Sequence, residues 1–528
     1  MLPRLIAHLD FKGIQRTPSA LLQYLETLAE LGYDGLLVEY EDVFPFAGES
    51  FSMTLEGRWS RDFLAAFLAK AKSLGLKVIP LQQSLGHMEY MLRWERYHPY
   101  RLAQEATGEP IDSTTLHIKN ESARAWLKGL LNEMIAAHPD SEYIHLAMDE
   151  AWPVSAYAYE SKLDALTLFL EWLEELCDLC DAAGKKPLIW SDMLEEYINP
   201  GNIARLQALK DRVILVCWEY LSGAKPITEV RFGGWRVSWG WRACPRDLTP
   251  SVQVARYKPM EEWPPEIAAL VGKYRVDDRH MEPLFQAAIL KELGFRVMGC
   301  CAVMLKAEGA ILPRYHRRMD NVDRWRGRVE EWQLDGLIVS AWARGGTCSS
   351  PTLIPEVHLP LMEYAAKGAV KRPVFDGVSP EALWHQLAKA GRSMESWSVM
   401  GSVISELESL EPSVNTHQEE WKTLILMARV FLHHSDAADY IALASASEYG
   451  NRWPELEWTL RIKACERVKA GFSALREEVF AHLSTRYEGS AFEEWIANVI
   501  DVPLKGLDAA AAAFVAYREE SRKKFGIR

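Results

Sequence analysis

Basic charge is scarce in this 528-residue chain. Its 60 Lys and Arg stand against 73 Asp and Glu, a formal net charge of −13. Phosphate contacts need a basic face, so the composition argues against a nucleic-acid partner. Cysteine is sparse as well, and eight residues over this length do not suggest a disulfide framework. Cys177 and Cys180 make a C-x-x-C, but they lie inside the helical run LTLFLEWLEELCDLCDAAG with no second ligand pair at zinc spacing. They read as reduced helix cysteines. No apolar run is long enough to cross a bilayer, and no membrane partner is expected. The start, MLPRLIAHLD, lacks the basic, apolar and small-residue succession of a signal peptide, so the cytoplasm is the expected compartment. Neither a G-x-G-x-x-G nor a P-loop follows the first strand, and no internal repeat or low-complexity tract is visible.

What is present is an alternation. A hydrophobic content of 48% with 25% charged residues is that of a globular protein, and the length calls for a large domain plus a second one. Strand candidates are 4–10, 35–41, 77–83, 143–149, 187–190, 213–220, 295–304 and 335–342. Amphipathic helical patterns separate them, and several close with Gly (Gly32, Gly75, Gly184, Gly294) as helix C-caps do. Eight strands with intervening helices predict an α/β fold, a (β/α)8 TIM barrel over residues 1–370. A doubly wound open sheet is the alternative. GGWRVSWGWRACPRD, between the sixth and seventh strands, reads as an extra hairpin over the barrel mouth. Its alternating Trp235, Trp239 and Trp241 suit a lid equally with a surface buried in the helical region or in a second subunit of a homodimer. Beyond PVFDGVSP the pattern is helical to the end, which predicts a C-terminal all-α domain over residues 371–528.

The chemistry of such a barrel belongs at the C-terminal ends of its strands. Those ends carry His8 and Asp10, Glu39 and Glu41, Gln82, Gln83 and His87, Asp149 and Glu150, Trp190 and Asp192, Trp218 and Tyr220, and Trp342 and Arg344. Acids and tryptophans thus ring one mouth. A carbohydrate fits them, because indole faces stack on sugar rings while carboxylates take hydroxyls. Asp149 and Glu150 stand side by side in YIHLAMDEAW, too close for the usual nucleophile-plus-acid pair of a glycosidase. Adjacent acids suit substrate-assisted hydrolysis of N-acetyl sugars, in which the 2-acetamido oxygen attacks the anomeric carbon. One acid then steers the acetamide, and the other protonates the leaving oxygen. Successive residues of a strand face opposite ways, so both can serve only if the chain bends as it leaves the sheet. Glu150 as the acid is expected to have a raised pKa, through burial and the neighbouring Asp149 charge. His145 is expected to be structural. His87 has no His or Cys at matching spacing to share a metal, and neither metal nor cofactor is expected.

HLDFKG, GLLVEYEDVFPF, VIPLQQSLGHMEYMLR, HLAMDE, PLIWSDML and WEY, in order over residues 4–350, resemble family 20 glycoside hydrolases, the β-N-acetylhexosaminidases, in their hexosaminidase D-like branch. The resemblance implies Glu150 as general acid/base and Asp149 as the residue that orients the acetamide. It further implies Tyr220 as hydrogen-bond donor to the acetamide oxygen, and Trp190, Trp218 and Trp342 as aromatic walls. His87 matches a strand-three histidine and Asp192 a hydroxyl-binding acid. Two departures stand out. Ala147 and Met148 occupy positions where the family usually has Gly. The usual N-terminal arginine that grips hydroxyls has no equivalent, which leaves His8, Asp10, Glu39 and Glu41 as candidates. The activity implied is retaining, exo-acting removal of terminal β-linked N-acetylgalactosamine or N-acetylglucosamine, with a weak lean to the former. Two rivals are an inactive sugar-sensing barrel, and a conventional retaining glycosidase with Glu39 or Glu41 as nucleophile.

Overall fold

The computed structural model describes residues 2–47, 58–221, 223, 225–238, 256–257, 259–305, 311–346, 349–368, 374–393, 399–446 and 453–525. Eight parallel strands close a barrel: β1 (Leu5–Asp10), β2 (Gly35–Glu39), β3 (Lys77–Leu81), β4 (Tyr143–His145), β5 (Lys186–Trp190), β6 (Ile214–Trp218), β7 (Arg296–Met304) and β8 (Leu337–Ala341). Each pairs with its neighbour in sequence, and β8 returns to β1. The (β/α)8 barrel read from the sequence is the fold, with all eight strands at the expected places.

The helices begin where side chains can cap them. Ser60, Asn120 and Asp164 each accept a hydrogen bond from the backbone N–H three residues on, at 3.0, 3.1 and 2.8 Å. They stop at Gly32, Gly75, Gly184 and Gly294, all at positive φ. The barrel interior is a separate apolar cluster that includes Ile6, Leu37, Ile79, Leu188, Val216 and Ile338, and it reaches up to Trp190, Trp218, Tyr220 and Trp342 at the mouth. The floor of the mouth is therefore aromatic because the barrel core ends there.

A hairpin is present, but it lies earlier than expected, and most of the stretch read as one, residues 239–247, is outside the described residues. Glu229–Phe232 pairs antiparallel with Trp235–Ser238, turning on Gly233–Gly234. It lies on the helix Asp192–Tyr197, where Gly233 N–H donates to the Glu195 carbonyl at 2.7 Å. Trp235 packs against the main core. Trp239 and Trp241 lie outside the described residues, as does the expected domain boundary between residues 370 and 371.

The C-terminal region is helical: Pro380–Ser393, Met400–Leu410, Gln418–Ser445, Glu455–Leu483, Ser490–Ile496 and Val502–Phe525. Trp421, Phe472 and Trp495 join the core that surrounds the barrel, while Trp458 and Phe514 belong to a second cluster farther out. A two-residue strand, Tyr487–Glu488, pairs antiparallel with Gln15–Arg16 just after β1. Among the described residues no helix is long and apolar enough to cross a membrane. Cys177 and Cys180 are free and buried, and burial pushes both thiols up to about 12.

Candidate active site

β4 ends at His145, four residues before the acid pair. Ala147 (φ 55°), Met148 (φ 68°) and Glu150 (φ 46°) then occupy the left-handed region. That costs a residue with a Cβ roughly 1–2 kcal/mol. These turns supply the bend that two adjacent acids require. The bend is held from below: Gln82 N–H donates to the His145 carbonyl at 2.9 Å, and Ala147 N–H to His145 Nδ1 at 3.0 Å. His145 is thus a backbone support, and burial pushes its pKa down to about 3. A Cβ on Gly86 would sit 2.3 Å from the Asp149 carbonyl oxygen, so only glycine lets the β3 exit pass beneath the acids. Glu41 and His87 also have positive φ, so five of the nine such non-glycine residues described lie at these strand exits.

The two acids face one histidine. His87 Nε2 lies 3.4 Å from Asp149 Oδ2 and 3.3 Å from Glu150 Oε2. Burial opposes a charge on the imidazole, but Asp149 and Glu150 outweigh it and push its pKa up to about 10. Burial pushes Asp149 up to about 6 against the pull of His87. Glu150 moves the other way. The hydrogen bond from His87 holds its carboxyl below the ordinary range, and its side chain is 44% exposed. The raised pKa expected for Glu150 therefore belongs to Asp149. Glu150 stands at the solvated rim beside a cation, whereas Asp149 is buried.

These groups border a cavity of about 220 Å³, somewhat below the usual range for a ligand site, together with Lys12, Glu39, Glu41, Gln83, Glu89, Trp190, Trp218, Tyr220, Leu305, Trp342, Arg344, Gly345 and Gly346. Trp218 and Tyr220 stack at 5.1 Å, and Trp342 stands 5.9 Å from Trp190 and 6.2 Å from Tyr220. Across the barrel, Lys12 Nζ lies 2.8 Å from Glu39, 3.1 Å from Asp10 and 3.9 Å from Glu41, and 5.2 Å from the Trp342 ring centroid. Burial would raise the Glu39 carboxyl, yet Lys12 and the bond to His8 (3.2 Å) hold it low. Burial raises Glu41 well above the carboxylate range. Gln83 Nε2 donates to Glu39 at 2.8 Å, while buried Gln83 Oε1 and Trp190 Nε1 have no hydrogen-bond partner.

Nine of the twelve residues singled out from the sequence, Glu150, Asp149, Tyr220, Trp190, Trp218, Trp342, His87, Glu39 and Glu41, meet at this cavity, and His8 stands behind Glu39 at 3.2 Å without bordering it. Asp192 and Asp10 do not border it. Asp192 accepts from the Glu150 N–H at 2.9 Å and from Trp218 Nε1 at 3.4 Å, so its carboxylate is spent on holding the acid and the wall. Asp10 accepts from the N–H of Lys12 (3.0 Å) and Ala343 (2.9 Å) and pairs with Lys12 Nζ. Lys12, Gln83 and Glu89 were not singled out as ligand groups. Lys12 stands in HLDFKG, a cation near the N-terminal position where the resemblance implied an arginine. A larger groove of about 790 Å³ lies at the opposite end of the barrel. Its charges are paired across the surface, as Lys72 with Asp140 and Lys77 with Glu142, and no acids converge there. Among the described residues no group of three His, Cys, Asp or Glu is arranged to hold a metal.

Residues 30–237 match the model of the glycosyl hydrolase family 20 catalytic domain. The chain is 27% identical over 256 residues to hexosaminidase D of Bos taurus, across 45% of this chain and 70% of that protein. It is 28% identical over 232 residues to hexosaminidase D of Homo sapiens, across 41% of this chain and 44% of that one. A solved structure of the tandem GH20 catalytic modules in the pneumococcal exo-β-D-N-acetylglucosaminidase, StrH, aligns over 81% of this chain and 97% of the other, at 16% identity and a TM-score of 0.45.

Proposed function

We propose that this chain, which carries a glycosyl hydrolase family 20 catalytic domain over residues 30–237 and is a hexosaminidase-type glycoside hydrolase, removes terminal β-linked N-acetylhexosamines from the non-reducing end by substrate-assisted catalysis with retention. The observation that carries this reading is the convergence of Asp149 and Glu150 on one small aromatic cavity.

The acetamide carbonyl oxygen attacks C1. As the glycosidic bond breaks, its electron pair goes to the leaving oxygen, which takes the proton of Glu150. The ionised Asp149 accepts the acetamide N–H and stabilises the positive charge of the oxazolinium ion. Water then attacks C1, the Glu150 carboxylate takes its proton, and the acetamide is restored. Tyr220, with its neighbours Trp190, Trp218 and Trp342, encloses the acetamide, and Gln83 and Lys12 face the ring hydroxyls from the far wall. Loss of the His87–Glu150 hydrogen bond on substrate entry raises the Glu150 pKa, and burial under the sugar raises it further, towards the protonated form that the first step needs. Of the two epimers, N-acetylgalactosamine is weakly preferred over N-acetylglucosamine.

A conventional retaining mechanism is less favoured. Glu39 is committed to Lys12, His8 and Gln83, and Glu41 is driven towards its protonated, non-nucleophilic form. The test is a panel of aryl β-glycosides with and without the 2-acetamido group, in gluco and galacto forms. Turnover is expected only with the acetamide, faster for galacto. Turnover of plain glucosides at a comparable rate would sink the mechanism.

A further inference from the structure

Two loops from β1 and β8 form the cavity wall that lies across the barrel from the acid pair, and both are tied to the C-terminal helices. Arg344 is the joint. Its Nε donates to the Lys12 carbonyl at 2.6 Å, its Nη1 donates to the Ser349 carbonyl, and its Nη2 pairs with Glu494 at 3.1 Å. Three residues beyond Lys12 the chain meets the helical region again, in the ladder of Gln15–Arg16 with Tyr487–Glu488, and Thr17 N–H donates to the Arg486 carbonyl at 2.8 Å. The Lys12 loop is therefore fixed at both its ends from one distant part of the sequence. A guanidinium only 11% exposed and bonded to two carbonyls has little freedom, and Glu494 supplies the ion pair that completes its hold.

We propose that Glu494 is a positioning residue for the sugar site, acting through Arg344 to fix the Lys12 backbone and with it the ammonium group on the hydroxyl side of the cavity. This rests on reading the cavity as an N-acetylhexosamine site. The helical region is then a working part of the site, although none of its described residues borders the cavity.

Glu494→Ala should raise KM for an aryl β-N-acetylhexosaminide about three- to tenfold, with kcat within about twofold and an unmoved pH profile, since β4 and its acids are untouched. Glu494→Asp keeps the charge and should restore most of the affinity. Arg476→Ala is the control for general loosening. It breaks the ion pair with Asp501 in the same region, 2.6 Å long and remote from the cavity, and should leave KM unchanged. Calorimetric titration with N-acetylgalactosamine should rank the three variants in the same order without turnover. An unchanged KM in Glu494→Ala, an equal rise in Glu494→Asp, or an equal rise in Arg476→Ala would overturn the proposal. A wild-type protein that neither cleaves nor binds N-acetylhexosamines would overturn the proposed function instead.

Discussion

Each of the two adjacent acids has its own electrostatic surroundings, and this makes their roles separable. Asp149→Asn should lower kcat/KM by about a thousandfold, because an amide stabilises the oxazolinium charge poorly. Glu150→Gln should cut turnover of alkyl glycosides by about 10²–10⁴-fold while sparing aryl glycosides whose leaving group needs no proton. If both variants kept wild-type rates on both substrates, the assignment would fail. His87 gives a sign that can be checked. In the proposed mechanism Asp149 works ionised; burial raises its pKa to about 6 and the His87 cation keeps it from rising further. His87→Gln removes that cation, so the pKa of Asp149 should rise. The ascending limb of the kcat/KM profile should then move to higher pH, and a shift to lower pH would contradict the geometry. The acids and aromatics of this site were legible as strand-end residues. Lys12 was not, since a lysine two residues past a strand looks like any solvated loop cation until three carboxylates are seen around it.

At the level of elements, eight strands and their capping glycines could be read from period and punctuation, yet the reach of β4 could not. YIHLAMD alternates like a seven-residue strand, and the structure ends the strand at His145 because Ala147 and Met148 turn left-handed. Neither residue type signals that conformation in a sequence. What supports it is spread over other elements, including the β3 exit at Gly86 and the Asp192 carboxylate on the helix after β5. Gly86→Ala should therefore damage the site from behind: its methyl meets backbone, which has no rotamer to retreat into. A loss of about 1–3 kcal/mol in urea denaturation is expected, together with a severe fall in kcat/KM. Full activity in that variant would show the bend to be incidental.

In the molecule as a whole, the helical region was legible as helical and its task was not, because the residues that join it to the barrel are hundreds of positions apart. At the junction, Glu356, only 2% exposed, lies 3.4 Å from Arg16 and 3.5 Å from Arg486, and Arg486 also meets Glu420 at 2.6 Å. Glu356→Ala would leave two sheltered guanidinium groups facing each other and should cost about 3 kcal/mol of stability by calorimetry or urea titration. A cost near zero would mean that solvent reaches the junction freely. The ladder between Gln15–Arg16 and Tyr487–Glu488 also bears on how the protein is made. Most of the barrel can collapse while translation is still under way, but this pairing must wait until Tyr487 and Glu488 have left the ribosome. Until then the exit of β1 lacks the strand that pairs with it.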